Sequence, residues 1–218
     1  MMRELLSGGF VPELVIEERS NIAAKELDAF VARVSGWPVA PSLDELLGAH
    51  ETRRERVEHH NRRACEALLE ELAPDLIVLG GTRILKPRIF ERARHGTLNA
   101  HPGLLPQVRG SASVAWAVHR DEPIGGTCHF VERGVDTGPI VGRRALPVRR
   151  GHSYERLCHD TDQLCATLMR EALESFRDGT LVSTPQGEGG PAHRTMPSEG
   201  VAEVRRRLAA GAYSHFVD

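Results

Sequence analysis

DLIVLGG, residues 75–81, is a continuous apolar run closed by two glycines. A strand wet on one side alternates apolar with polar residues, whereas one covered by helices on both faces reads as an unbroken aliphatic run. The run therefore predicts a parallel strand buried on both faces. Before it, Ala64, Leu68, Leu69 and Leu72 mark the apolar side of a helix that Pro74 stops. That helical region is expected to begin at a capping box, Ser42-Leu43-Asp44-Glu45, and to continue to Leu72 with an interruption at Gly48. Further upstream, Pro12 to Glu18 reads as a short strand and Ala23 to Val34 as a helix.

After the run, strands are expected at Thr97–His101, Gly125–Val131 and Ile140–Val148, with a short helix at Ser111–Arg120. The last two strands can pair across the loop ERGVDTGP. Ser153 can cap a long helix carrying Leu157, Leu164, Leu168, Leu173 and Phe176 at helical spacing, with Gly179 just past its end. A polar stretch rich in Gly and Pro, Thr184 to Pro197, precedes a last helix at Val201–Ala210. Strands alternating with helices indicate an α/β fold with ligands at the carboxyl ends of its parallel strands. Residues 1–184 are read as one domain and 185–218 as a carboxyl-terminal extension with a short helix.

The chain has 218 residues, 40% hydrophobic and 27% charged, with a formal net charge of -2. That balance supplies no basic surface for nucleic acid and no attraction to acidic membranes, so a small-molecule partner is expected, with no nucleic acid and no membrane. A homodimer is compatible with the sequence. Met1 to Glu18 shows no cationic segment followed by a long apolar run, and a cytoplasmic location is expected. Cys65, Cys128, Cys158 and Cys165 form no CxxC pair and read as reduced packing residues. Arg53, Arg54, Arg56, Arg62 and Arg63 are expected on a solvated helix face, interspersed with Glu. His59 and His60 would diverge on that helix, so no metal site is expected there.

The chemistry concentrates in TLNAHPGLLPQVRG, residues 97–110. Alternate side chains of a strand share a face, which puts Asn99 and His101 on one side, about 6–7 Å apart at the backbone. Pro102 biases His101 toward extended geometry. An amide beside an imidazole suits a carbonyl oxygen that becomes an oxyanion: the amide donates without titrating, and the imidazole exchanges a proton near neutral pH. Acyl or one-carbon transfer is the chemistry this suggests. A carboxylate is needed to orient the histidine, and Asp136, in a glycine-flanked loop after a strand, is the candidate by context. The same NxHP pattern also suits a simple turn. Thr127 and His129 share a strand face, so either can approach the pocket, while Arg109 can grip a substrate or solvate its loop.

LNAHPGLLPQVRG followed by GGTCHFVERGVDTGPIV resembles the paired signature of the folate-dependent formyltransferases, the group that includes glycinamide ribonucleotide, methionyl-tRNA and amino-sugar formyltransferases. The resemblance runs from about Asp75 to Thr184. It implies a Rossmann-like α/β fold with a mostly parallel central sheet flanked by helices, and a catalytic set of Asn99, His101 and Asp136. It further implies 10-formyltetrahydrofolate as co-substrate, lying between Arg83, Ile84 and Leu85 on one side and Val131, Glu132, Gly134, Val135 and Asp136 on the other, with no metal. The acceptor would be a primary amine on an amino-sugar nucleotide, a glycinamide ribonucleotide-like molecule, an amino acid or a peptide. Gly103 and Trp116 lean toward the amino-sugar or peptide branches. MMRELLSGGFVPELVIEE offers no counterpart of the family's usual first strand, so a domain shortened at its amino terminus, with a central strand missing, is expected. With no barrel after Asp218, tRNA is not expected as the acceptor. Water could replace the amine at the same residues, giving a 10-formyltetrahydrofolate hydrolase, and a catalytically silent folate-binding relative is a further alternative.

Overall fold

Ser42 caps its helix as the spacing predicts: its hydroxyl accepts the Glu45 N–H while the Glu45 carboxylate takes the Ser42 N–H. In the computed structural model, which describes residues 1–218, this helix is brief. The elements in order are α1 Met2–Ser7, β1 Leu14–Glu18, α2 Asn21–Arg33, α3 Leu43–Leu47, β2 Arg53–Val57, α4 Arg63–Leu72 and β3 Ile77–Val78. They continue with α5 Pro87–Phe90, β4 Thr97–His101, α6 Ser113–Arg120, β5 Gly125–Phe130, β6 Ile140–Ala145, α7 Tyr154–Arg177 and α8 Ser198–Ala209.

The helix expected to run through to Leu72 is broken by β2. RRERV has one apolar residue buried, Val57, and no apolar alternation; it is a strand because it pairs in parallel with β1, from Leu14 opposite Arg53 to Glu18 opposite Val57. Its arginines are neutralised locally, Arg53 by Glu55 and Glu71, Arg54 by Glu17 and Asp44.

The strands form two sheets, β1–β2 and β3–β4–β5–β6, with no ladder joining β1 to β3. The sheet is mixed where a mostly parallel one was expected. The pairs β1–β2 and β3–β4 are parallel, whereas β4–β5 and β5–β6 are antiparallel. The β5–β6 hairpin explains part of this, since a strand that turns straight back can pair only antiparallel. The DLIVLGG run keeps strand geometry only at Ile77 and Val78, both half-buried. That half-burial falls short of the cover on both faces expected from its composition; one edge of β3 is bonded to β4 and the other has no strand neighbour.

The carboxyl-terminal half holds most of the core. Ser153 caps α7 by accepting the Arg156 N–H, and α7 lays Leu157, Cys158, Cys165, Leu168, Met169 and Ala172 inward. Leu168, Met169 and Ala172 pack against Leu98 of β4 and Cys128 of β5, while Leu157 and Cys158 join α6 and the α8 residues Val204 and Leu208. A third cluster, Val57, Cys65, Leu69, Leu85, Ile89 and Phe90, fills the space beneath β2 and β3. No helix is long and apolar enough to cross a membrane.

Candidate active site

β4 delivers Asn99 and His101 from alternate positions, and antiparallel β5 sets His129 opposite Asn99 and Thr127 opposite His101. The loop between β5 and β6 brings the Asp136 carboxylate to the same place. Its Oδ2 lies 3.5 Å from His101 Nδ1 and its Oδ1 lies 3.6 Å from His129 Nε2. Asn99 Nδ2 is 3.3 Å from that same His129 nitrogen. The structure thus gathers an amide, two imidazoles and a carboxylate from three segments, with Asp136 turned inward.

The hydrogen-bond partners fix the protons. His101 Nε2 sits 2.8 Å from the Val108 carbonyl, which can only accept, so this nitrogen carries hydrogen and the neutral ring turns its Nδ1 lone pair toward Asp136. Ser113 Oγ, which donates to the Gly110 carbonyl, lies 3.3 Å from the same Nε2. His129 Nδ1 likewise donates to the Phe130 carbonyl at 2.8 Å, leaving Nε2 to accept from the Asn99 amide. His129 therefore orients Asn99. Thr127 instead anchors the loop after His101, because its hydroxyl donates to the Gly103 carbonyl and accepts the Leu105 N–H. Gly103 is needed there, because a Cβ would stand 2.7 Å from His101 Nε2 and 2.8 Å from the Val108 carbonyl. The Leu105–Pro106 peptide is cis.

Asp136 has a left-handed backbone, φ +53, which costs a residue with a side chain about 1–2 kcal/mol. Several bonds hold it. The Gly110 N–H donates to Oδ2 at 2.8 Å, and the Gln186 side-chain amide donates to the Asp136 carbonyl at 3.0 Å. Burial acts to raise the Asp136 pKa, but the neighbouring imidazoles of His129 and His101, which meet the carboxylate when they are charged, and the Gly110 N–H outweigh it, and the carboxyl stays below its ordinary range. Burial pushes the His101 ring below the usual imidazole value, with Asp136 opposing. At neutral pH the resting pair is a neutral imidazole facing a carboxylate.

Of the residues expected to line the co-substrate, Arg83 has its guanidinium committed to the Glu18 carboxylate, Ser20 and His59. Ile84 is 74% exposed and Leu85 is buried. Asn61, which the sequence did not single out, pins this turn: its Oδ1 accepts the Lys86 N–H at 2.6 Å and its Nδ2 donates to the Ile84 carbonyl at 2.9 Å. Val131 to Gly134, expected on the other side of the co-substrate, wall a cleft of about 480 Å³ that includes Phe90 and Thr97. The backbone groups of Leu85 and of Glu132 to Val135 make no hydrogen bond within the chain, so both segments can serve the edge of a flat heterocycle with main-chain donors and acceptors.

Two further expectations change. His59 and His60 do not diverge on a helix; they follow β2, and both rings approach Glu18, at 3.8 and 3.3 Å. No group of three or more His, Cys, Asp or Glu is disposed to hold a metal ion. Arg109 is half-buried and donates to Gln186 Oε1 at 3.0 Å, so it does not simply solvate its loop.

Residues 40–173 match the profile of the family described as Formyl transferase. A methionyl-tRNA formyltransferase of Acidobacterium capsulatum is 33% identical over 86% of this chain and 58% of its own length. One of Anaeromyxobacter dehalogenans is 37% identical over 60% of this chain and 41% of its own length. The chain thus spans less than two thirds of these curated relatives. Among solved structures, glycinamide ribonucleotide transformylase 1 from Symbiobacterium toebii superposes with a TM-score of 0.63 at 24% identity, covering 85% of this chain and 87% of that one. The formyltransferase PseJ from Anoxybacillus kamchatkensis, solved with a formamido-sugar nucleotide and tetrahydrofolate, gives 0.58 at 24% identity, covering 83% and 84%. These likenesses establish a shared fold.

Proposed function

The chain belongs to the formyl transferase family, and from that premise we propose that it transfers a formyl group from 10-formyltetrahydrofolate to a primary amine of a small molecule, such as an amino-sugar nucleotide, a glycinamide ribonucleotide-like compound or an amino-acid amine. The observation that carries the reading is the inward Asp136 carboxylate, 3.5 Å from His101 and within the same cluster as Asn99. The unpaired main-chain groups of Leu85 and Glu132 to Val135 support a folate on that side of the cluster.

In the proposed reaction the amine nitrogen bonds to the formyl carbon and the carbonyl electrons move onto its oxygen. The Asn99 amide, oriented by His129, donates to that oxygen, and a preorganised donor of this kind is worth about 10²–10³ in rate. The amine proton passes to His101 Nδ1, which faces Asp136; the carboxylate stabilises the imidazolium so formed. The folate nitrogen then departs and takes a proton from the ring. A neutral resting His101 suits this order, because burial opposes the charge until Asp136 meets it. The rate is expected to fall on the acid side with a midpoint below that of free imidazole.

The test is incubation of 10-formyltetrahydrofolate with a panel of amines, following tetrahydrofolate release. Acceptor-dependent release is the expected result, and Asn99→Ala, His101→Asn and Asp136→Asn should each lower turnover by at least ~10². Formate release independent of any amine would replace transfer with hydrolysis, and near-normal rates in all three variants would remove the assigned roles.

A further inference from the structure

We infer that Gln186 is a positioning residue for the Asp136 carboxylate, acting through the backbone of the loop that carries it. Gln186 lies in the Gly- and Pro-rich stretch after β6 and α7, a region without regular secondary structure. Its Nε2 donates to two carbonyls of the catalytic loop, Asp136 at 3.0 Å and Gly138 at 2.6 Å, while its Oε1 accepts from Arg109 at 3.0 Å. A single planar amide therefore spans the loop on which Asp136 sits and the loop that follows His101.

The stretch is fastened at both ends to those same two loops. Thr184 exchanges two backbone bonds of 2.8 Å with Ile140, just beyond the Asp136 loop. His193 donates its N–H to the Arg109 carbonyl at 2.9 Å and accepts the Ser111 N–H at 2.8 Å. Between these last two residues lies Gly110, whose N–H holds Asp136 Oδ2. A Cβ at Gly110 would overlap the His193 carbonyl, so the approach is close enough to demand glycine. One strap thus sets the left-handed Asp136 backbone through Gln186 and, through His193, places the N–H that aims the carboxylate. Polar groups with so many fixed partners lose orientation when one is removed.

The role rests on the reading of Asp136 given above, and two readouts keep it separable from that reading. Gln186→Leu removes the amide, and Gln186→Glu keeps its shape and the acceptor for Arg109 while losing both N–H donors. Titration of His101 by NMR with labelled histidine needs no turnover. Both variants should move the His101 midpoint to lower pH, in the direction of Asp136→Asn, because the ring loses part of its carboxylate partner. In the transfer assay kcat should fall about tenfold, with the KM for formyl-folate within about twofold and thermal unfolding little changed. An unchanged His101 midpoint in both variants, or a loss of rate that merely tracks a loss of thermal stability, would overturn the role. If the unaltered protein forms no product with any amine, the proposed activity falls while the His101 titration still decides the positioning.

Discussion

Strand β5 buries five of its six residues, and β1 buries none of its five. The helices repeat the contrast. Nine residues of α7 are buried, whereas α2 has none and shows Ile22, Leu27 and Val31 to solvent. Apolar packing thus carries the four-stranded sheet, and charge does much of the holding around β1 and β2, where Glu17 pairs with Arg54, Glu18 with Arg83 and Arg53 with Glu71. The expected functional parts divide along the same line. Asn99, His101, His129 and Asp136 are mounted on the apolar side, while the 83–86 turn is clamped by Glu18 and Asn61 from the charged side. On the proposed reading, the chemistry and the 83–86 side of the co-substrate's seat are built on different physics.

The largest effect should come from the core. Leu157→Ala, at a fully buried position, is expected to cost about 2–5 kcal/mol, while Leu27→Ala, at 60% exposure, should stay within about 0.5 kcal/mol; urea unfolding measures both. Equal losses would break the contrast between the two regions. A smaller effect should sharpen it. Asn61→Ala frees the turn at Ile84 and Lys86 and is expected to raise the KM for formyl-folate about tenfold with kcat held within a few-fold, the reverse of Asp136→Asn. Steady-state kinetics on the pair would show whether the two halves act separately.

The smallest effect lies where α2 ends against α7. Burial raises the Asp162 carboxyl to about 6, outweighing the nearby Arg33. Its folded pKa exceeds its unfolded one, so stability falls as pH rises from the ordinary carboxylate range to about 6 and stays lowered above it. Asp162→Asn should therefore raise the melting temperature by roughly a few degrees at pH 8 and leave it unchanged near pH 4. A gain of the same size at both values would mean that ionisation of Asp162 is not the cause.

Much of this was legible because it is local. The Ser42 and Ser153 caps, the shared face of Asn99 and His101, and the glycine-flanked loop of Asp136 follow from spacing of two, three or four residues. What escaped depends on partners far along the chain. RRERV has no strand signature of its own and becomes β2 only beside β1. DLIVLGG pairs with β4 only at Ile77 and Val78 and has no strand neighbour on its other edge, which composition cannot report. Asn61 and Gln186 look like ordinary loop amides until they meet residues 23 to 50 positions away. For His129 the sequence left Thr127 an equal claim, since residues two apart on a strand share a face; the register with Asn99 separates them.

The indole of Trp116 stacks on the His193 imidazole with centroids 4.5 Å apart, and its N–H donates to the Arg194 carbonyl. The molecule therefore carries an optical lamp, mounted on α6 and pressed against the strap. A protonated imidazole in van der Waals contact quenches indole emission, and burial together with Arg120 keeps His193 below the usual imidazole value, so the ring is a weak quencher at neutral pH. With Trp37 the second fluorophore, in a separate setting beside His159 and Arg156, replacing it with Phe would leave an emission signal that reports on seating of residues 193 and 194 without any added label.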